Sequence, residues 1–237
     1  MKTNSLGYLT LTCLQLVLIS ASLMSCNQND KVYDTLHPIE ENKSAPLKFT
    51  DKQLTKLTSA LAIAENSIND SLFRRILIAQ STAGVYEWDH DRLEEVPEQH
   101  HKDPVTFFLS EFRSRGLPTV KQFVAKDGYT DDDVTGSTVA CSEKINFNVD
   151  NLDRTSRTPT YVAGTIVHER VHSFCYQHRT NDSSEDFNLC DFAYHAGHLA
   201  IVIAQYRDNN SQPITKPSIE ICASLVKRLK DEKIIIR

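Results

Sequence analysis

From residue 50 onward, apolar positions recur at helical spacing for most of the chain. Thr50-Asp51 reads as a cap, and Leu54, Leu57, Leu61 and Ile63-Ala64 follow on one face. A second helical run carries Leu72, Phe73, Ile76 and Leu77. Asp103-Pro104 opens a third, with Val105, Phe108 and Phe112 on one side. The period then drops to two over residues 138–141 and 144–148, which predicts two short strands. Pro159 starts a long helical pattern that runs to about Phe174. Two more helices are expected over residues 192–206 and 219–231. The fold class this predicts is helix-rich α+β, with a small β-sheet and one long helix near the middle of the folded part. Residues 128–136 form an acidic turn containing Asp131, Asp132 and Asp133. They lack the spaced ligands of a calcium loop and read as solvated. A stretch rich in Asn, Asp and Ser over 180–188 reads as a loop.

The N-terminus has a different pattern. Lys2 precedes a diluted apolar stretch over residues 6–23, too weak for a membrane span and followed by small residues. It ends in Leu23-Met24-Ser25-Cys26, which resembles the lipobox of bacterial lipoproteins. The resemblance implies a signal peptide over 1–25 and an acylated N-terminus at Cys26. Asn27 after the Cys points to the outer membrane. Residues 26–46 are polar and read as a tether, leaving 47–237 as one folded domain. The cysteines left in that domain are Cys141, Cys175, Cys190 and Cys222. Outside the cytoplasm they can pair, and three connectivities are open.

Composition narrows the function. The 237 residues are 40% apolar and 24% charged, enough to bury a core, and the net charge is −5. That balance argues against a nucleic-acid partner, which calls for a basic field. A monomer is expected.

The chemistry concentrates in residues 168–178, HERVHSFCYQH. His168 and His172 are four apart, so a helix places both imidazoles on one face, within reach of one zinc ion. Glu169 swings to the side, where a carboxylate takes a proton from water without being a ligand. Ala163, Ile166, Val167, Val171 and Phe174 form an apolar stripe that anchors the helix. Tyr161, Thr165, His168 and His172 line another face, toward a cleft.

A third histidine, His178, stands six residues after His172. The pattern H-E-x-x-H-x-x-x-x-x-H resembles the metzincin superfamily of zinc peptidases, in which the chain turns after the second His and brings a third back to the metal. The resemblance implies Zn2+ held by His168, His172 and His178. Cys175 stands where that pattern has Gly, and no Met follows residue 24 to form the Met-turn. The segment from Cys190 to His198 resembles the Tyr-containing segment of a group of uncharacterised bacterial zincin-like lipoproteins, over roughly residues 137–199. Other ligand sets stay open. His195 or His198 can replace His178, a carboxylate such as Glu185 or Asp186 can serve, and Cys175 can be a ligand or pair with Cys190.

These resemblances imply a zinc metalloendopeptidase anchored by lipid to the bacterial envelope and facing the periplasm or the exterior. Its partners are a peptide or protein substrate and the membrane. Glu169 is then the general base, and Tyr194 steadies the oxyanion. The alternative is an inactive zincin-fold surface lipoprotein that binds an envelope or protein partner.

Overall fold

The folded region opens on a reciprocal cap. The Gln53 amide donates to the Thr50 hydroxyl at 3.3 Å, and the Thr50 amide donates to the Gln53 side chain at 2.9 Å. Two amides that the first helical turn leaves without partners are thereby satisfied. The computed structural model describes residues 47–85, 89–90, 96–98, 101, 103–129, 134–178 and 189–236, with residues 89 and 90 as backbone only. The signal, Cys26 and the tether (1–46), the acidic triplet 131–133, and Glu185 and Asp186 lie outside them.

Helix α1 (Asp51–Asn69) buries Leu57, Ala60, Ala64 and Ile68. Asp70 ends it and caps α2 (Ser71–Thr82) by accepting from the Leu72 amide at 2.9 Å. A two-residue strand, β1 (Asp89–His90), precedes α3 (Pro104–Arg115), which Asp103 caps and Pro104 starts. A short 3₁₀ turn, Val120–Gln122, leads into β2 (Phe123–Lys126), then β3 (Gly136–Ser137) and β4 (Ile145–Asn148). After α4 (Val149–Asp153) comes α5 (Pro159–Ser173), capped by Thr158 with Pro159 at its first position. The chain ends with β5 (Tyr176–Gln177), α6 (Phe192–Asp208) and α7 (Ala223–Asp231). Among the described residues no helix is long and apolar enough to cross a membrane.

The result is the expected helix-rich α+β domain with a small sheet. β4 is the middle strand, parallel to β2 and antiparallel to β3. A separate ribbon pairs β1 with β5. The strand predicted over 144–148 is β4. The one predicted over 138–141 is absent: β3 stops at Ser137, and the chain turns at Cys141 with φ 66°. The Cys141 amide donates to the His172 carbonyl at 3.0 Å, and its sulfur bridges to Cys175, which pulls this segment out of the sheet. The helix predicted over 219–231 begins only at Ala223. The residue before it, Cys222, is bridged to Cys190 and serves as its cap position. β2 and α4 were not predicted.

α5 runs through the core. Val162, Ala163, Ile166, Val167 and Val171 have no exposed surface, and α1 and α6 pack along it. It meets α6 where Gly164 faces Gly197. A Cβ added at Gly197 would lie 2.7 Å from the Gly164 carbonyl oxygen and 3.1 Å from the His168 Cβ. At Gly164 the same space is filled by the Ile201 side chain, so neither glycine has room for a side chain of its own.

The far end of α5 is held by a buried charge. The Arg170 side chain is 1% exposed. It donates to the Gly116 carbonyl at 2.8 Å and the Arg115 carbonyl at 3.3 Å, and pairs with Glu143. Its guanidinium lies 4.4 Å from the Phe174 ring centre, and that of Arg115 lies 4.8 Å from the same ring. Burial works to raise the Glu143 pKa, but hydrogen bonds from Arg115 and Arg170 hold it below the ordinary carboxylate value. A buried guanidinium is tolerable because its donors are met.

Gly197→Ala tests the helix crossing. In an ordinary helix interior the change gains about 1 kcal/mol of propensity. Here it should instead cost about 1–3 kcal/mol, because the obstructing atoms are backbone. Thermal and urea unfolding measure the sign, and a stabilised variant would contradict the close approach.

Candidate metal centre

α5 presents His168 and His172 one turn apart, and their Nε2 atoms lie 3.1 Å from each other. The helix then stops. Phe174 leaves helical geometry, and Cys175 takes the left-handed conformation at φ 72°. That is the conformation the Gly of the related pattern supplies, here adopted by a residue with a Cβ at a cost on the order of 1 kcal/mol. Two things over-determine the turn. The Cys175 amide donates to the His172 carbonyl at 2.8 Å, and the Cys141–Cys175 disulfide fixes its outer side. β5 then pairs with β1 and carries the chain to His178.

The third imidazole thereby returns to the first two. The Nε2 atoms of His178 and His172 are 3.1 Å apart, and ring nitrogens of all three histidines lie within 4.8 Å of one another. Tetrahedral zinc with Zn–N bonds of 2.0–2.1 Å places its nitrogens roughly 3.3 Å apart. The cluster has the donor type, number and spacing to hold a metal ion.

Each imidazole is also held from behind. The His172 Nδ1 donates to the Tyr176 carbonyl at 2.7 Å. The His178 Nδ1 faces the Asp191 carboxylate at 3.0 Å. His168 hydrogen-bonds the Ala193 backbone. An Nδ1–H bound to a carbonyl fixes the tautomer whose Nε2 carries the lone pair, the form a metal ion requires. Burial agrees. It drives the His168 pKa well below its ordinary value, with the neighbouring His172 and His178 adding to the effect. Burial, with His178 adding, lowers that of His172 to about 4.

Glu169 is 5% exposed. Thr138 lies beside its carboxylate. Burial raises its pKa to about 7, against the lowering effects of His178 and Thr138. The Tyr194 ring lies 4.5 Å from that of His168 and stacks on that of His178 at 5.0 Å. Five residues named from sequence, His168, Glu169, His172, His178 and Tyr194, are therefore neighbours.

Of the competing ligands, the three among the described residues, His195, His198 and Cys175, are not brought in. Among the described residues the metal-holding group is His168, His172 and His178. His195 is fully buried in the core of α6. His198 lies one turn beyond Tyr194, with its ring 5.8 Å away. Cys175 is no ligand and does not pair with Cys190. The bridges are Cys141–Cys175 and Cys190–Cys222.

Two supporting residues escaped the sequence reading. Thr138 looked like part of a strand. Asp191 had no role in the sequence reading; it caps α6 by accepting from the Ala193 amide at 2.9 Å. No protein-family model matches the chain, and neither the curated proteins nor the solved structures contain a match.

Acid should weaken the metal-free fold. His172, at about 4, and His195, driven to about 3 by burial, have folded pKa values below the ordinary 6.5. The unfolded chain then takes up protons first, so stability falls as pH drops from about 6.5 toward 4. Urea unfolding of metal-free protein at pH 7, 5.5 and 4 should show midpoints declining in that order. A flat profile would mean these imidazoles are not buried.

Proposed function

We propose that this chain is a zinc metallopeptidase of metzincin-like type that cleaves peptide bonds in the bacterial envelope. The observation that carries the reading is the convergence of three imidazoles beside a buried carboxylate that is not itself part of the cluster. Three nitrogen ligands are the set that leaves zinc a fourth position open. A zinc ion bound there supplies Lewis acidity, which polarises a carbonyl and makes water acidic enough to lose a proton near neutral pH.

The chain's own residues do the rest. Glu169, beside Thr138, takes the proton from the attacking water. It then hands that proton to the departing amine nitrogen as the peptide C–N bond breaks. Its proton affinity near neutrality suits both halves of that transfer. Asp191, Tyr176 and Ala193 keep the three imidazoles aimed. Tyr194, whose ring packs against two of them, donates its hydroxyl to the oxyanion of the tetrahedral intermediate in this reading. Three aligned imidazoles also restrict the approach of a carbonyl to the open side of the cluster.

Glu169→Gln separates catalysis from binding. The swap keeps shape and loses the proton acceptor, so zinc content measured by atomic emission should stay at about one ion per chain. Hydrolysis of an unstructured protein substrate should fall by roughly 10² to 10⁴. Zinc retained with no hydrolysis in either protein would instead support the inactive, partner-binding surface lipoprotein. Loss of zinc on Glu169→Gln would make the carboxylate a ligand.

The lipid anchor is a separate part of the proposal and rests on Leu23-Met24-Ser25-Cys26. Cys26→Ala should abolish metabolic labelling with a fatty acid and release the protein from the membrane fraction. Unchanged labelling would remove the anchor.

A further inference from the structure

Asp191 occupies a position that its role as a helix cap does not by itself explain. It is 2% exposed, and a carboxylate is the side chain least suited to burial unless its oxygens are strongly bonded. Ser, Thr or Asn caps a helix as well without that cost. Here one oxygen, Oδ1, serves both the Ala193 amide at 2.9 Å and the His178 Nδ1 at 3.0 Å. The same α6 turn therefore aims one ligand through a carboxylate, and His168 through the Ala193 backbone.

The position of Asp191 is fixed on both sides. Cys190 before it is bridged to Cys222, the cap position of α7. Ala193 after it lies in α6, whose distance from α5 is set by the Gly164–Gly197 contact. His178 needs such a partner more than the other two. His168 and His172 stand on the rigid body of α5, whereas His178 follows a two-residue strand and its side chain is 28% exposed. It lies in the least braced segment of the three.

We infer that Asp191 is the positioning residue of the metal centre: it selects the Nδ1–H tautomer of His178, aims Nε2 at the ion, and sets how tightly the ion is held. The inference rests on the metallopeptidase reading for the ion's use, but not for the hydrogen bond itself. A carboxylate behind an imidazole also makes its other nitrogen a stronger donor, and losing such a partner typically weakens metal binding 10- to 100-fold.

Two substitutions divide the roles. Asp191→Ser keeps a cap for α6 and is too short to reach the His178 ring. Asp191→Asn keeps an oxygen that can accept from both donors and removes the charge. The probe is Zn2+ alone, titrated into metal-free full-length protein against a chromophoric chelator, with Co2+ absorption reporting the ligand geometry. Asp191→Ser should bind Zn2+ about 10- to 100-fold more weakly and show an altered Co2+ spectrum, with metal-free melting close to the parent's. Asp191→Asn should fall between the two.

Long-range ¹H–¹⁵N spectra of the metal-free protein supply a readout independent of any ion. His178 should be the Nδ1–H tautomer in the parent and a mixture in Asp191→Ser. A pure capping role, which Ser fulfils, predicts an unchanged melting temperature, unchanged zinc affinity and an unchanged tautomer in Asp191→Ser, and that result overturns the inference. If Asp191→Ser does not fold, Asp191→Asn decides: zinc affinity equal to the parent's overturns it. A parent that takes up no zinc ends the metallopeptidase reading, while the tautomer comparison still judges Asp191.

Discussion

Everything near the three imidazoles depends on how closely α6 approaches α5. The two helices meet at Gly164 and Gly197, where the missing side chains let the Ile201 side chain and the facing backbone pack close. That contact brings the first turn of α6 against the face of α5 that carries His168. Asp191, Ala193 and Tyr194 all belong to that turn or its cap, and all three touch a ligand imidazole. A wider crossing would take from His168 the Ala193 backbone that orients it. Packing at a pair of glycines thus sets the second layer of the metal centre.

The other requirement is a chain reversal just after His172. A helix delivers two ligands four residues apart but cannot deliver a third six residues on. The reversal needs a left-handed residue, and Cys175 takes that role despite its Cβ. The Cys141–Cys175 bridge compensates by tying the strained residue to the loop after β3. The same loop places Thr138 beside the Glu169 carboxylate. One covalent link therefore serves the turn that returns His178 and the segment beside the acid. The second bridge steadies Asp191 in the same way from the other side.

Burial does the electrostatic work. The ligand imidazoles His168 and His172 are kept neutral by desolvation, and the carboxylate beside them is held near neutrality by the same cause. One dry pocket therefore moves bases and acid in the directions a hydrolytic metal site needs. Arg170, at the opposite side of the same helix, keeps its charge because Glu143 and two carbonyls satisfy it. It holds the C-terminal end of α5 to α3 without entering the site.

The sequence by itself determined the long helix, its apolar stripe, the class of fold and the set His168, Glu169 and His172 on that helix. These follow from local periodicity and spacing, and the chemistry of the motif is carried within eleven residues. It left His195, His198 and Cys175 open as ligands because spacing alone does not say where a chain goes after a helix ends. Only the tertiary structure decided between them. His195 faces the core between packed helices, and Cys175 is committed to a residue 34 positions away. Asp191 and Thr138 were invisible for the same reason. Each reaches its partner across a loop, and such contacts have no period in the sequence. The disulfide pairing was undetermined because loop closure permits all three connectivities, and only the packing of α5, α6 and the loop after β3 brings the right sulfurs together.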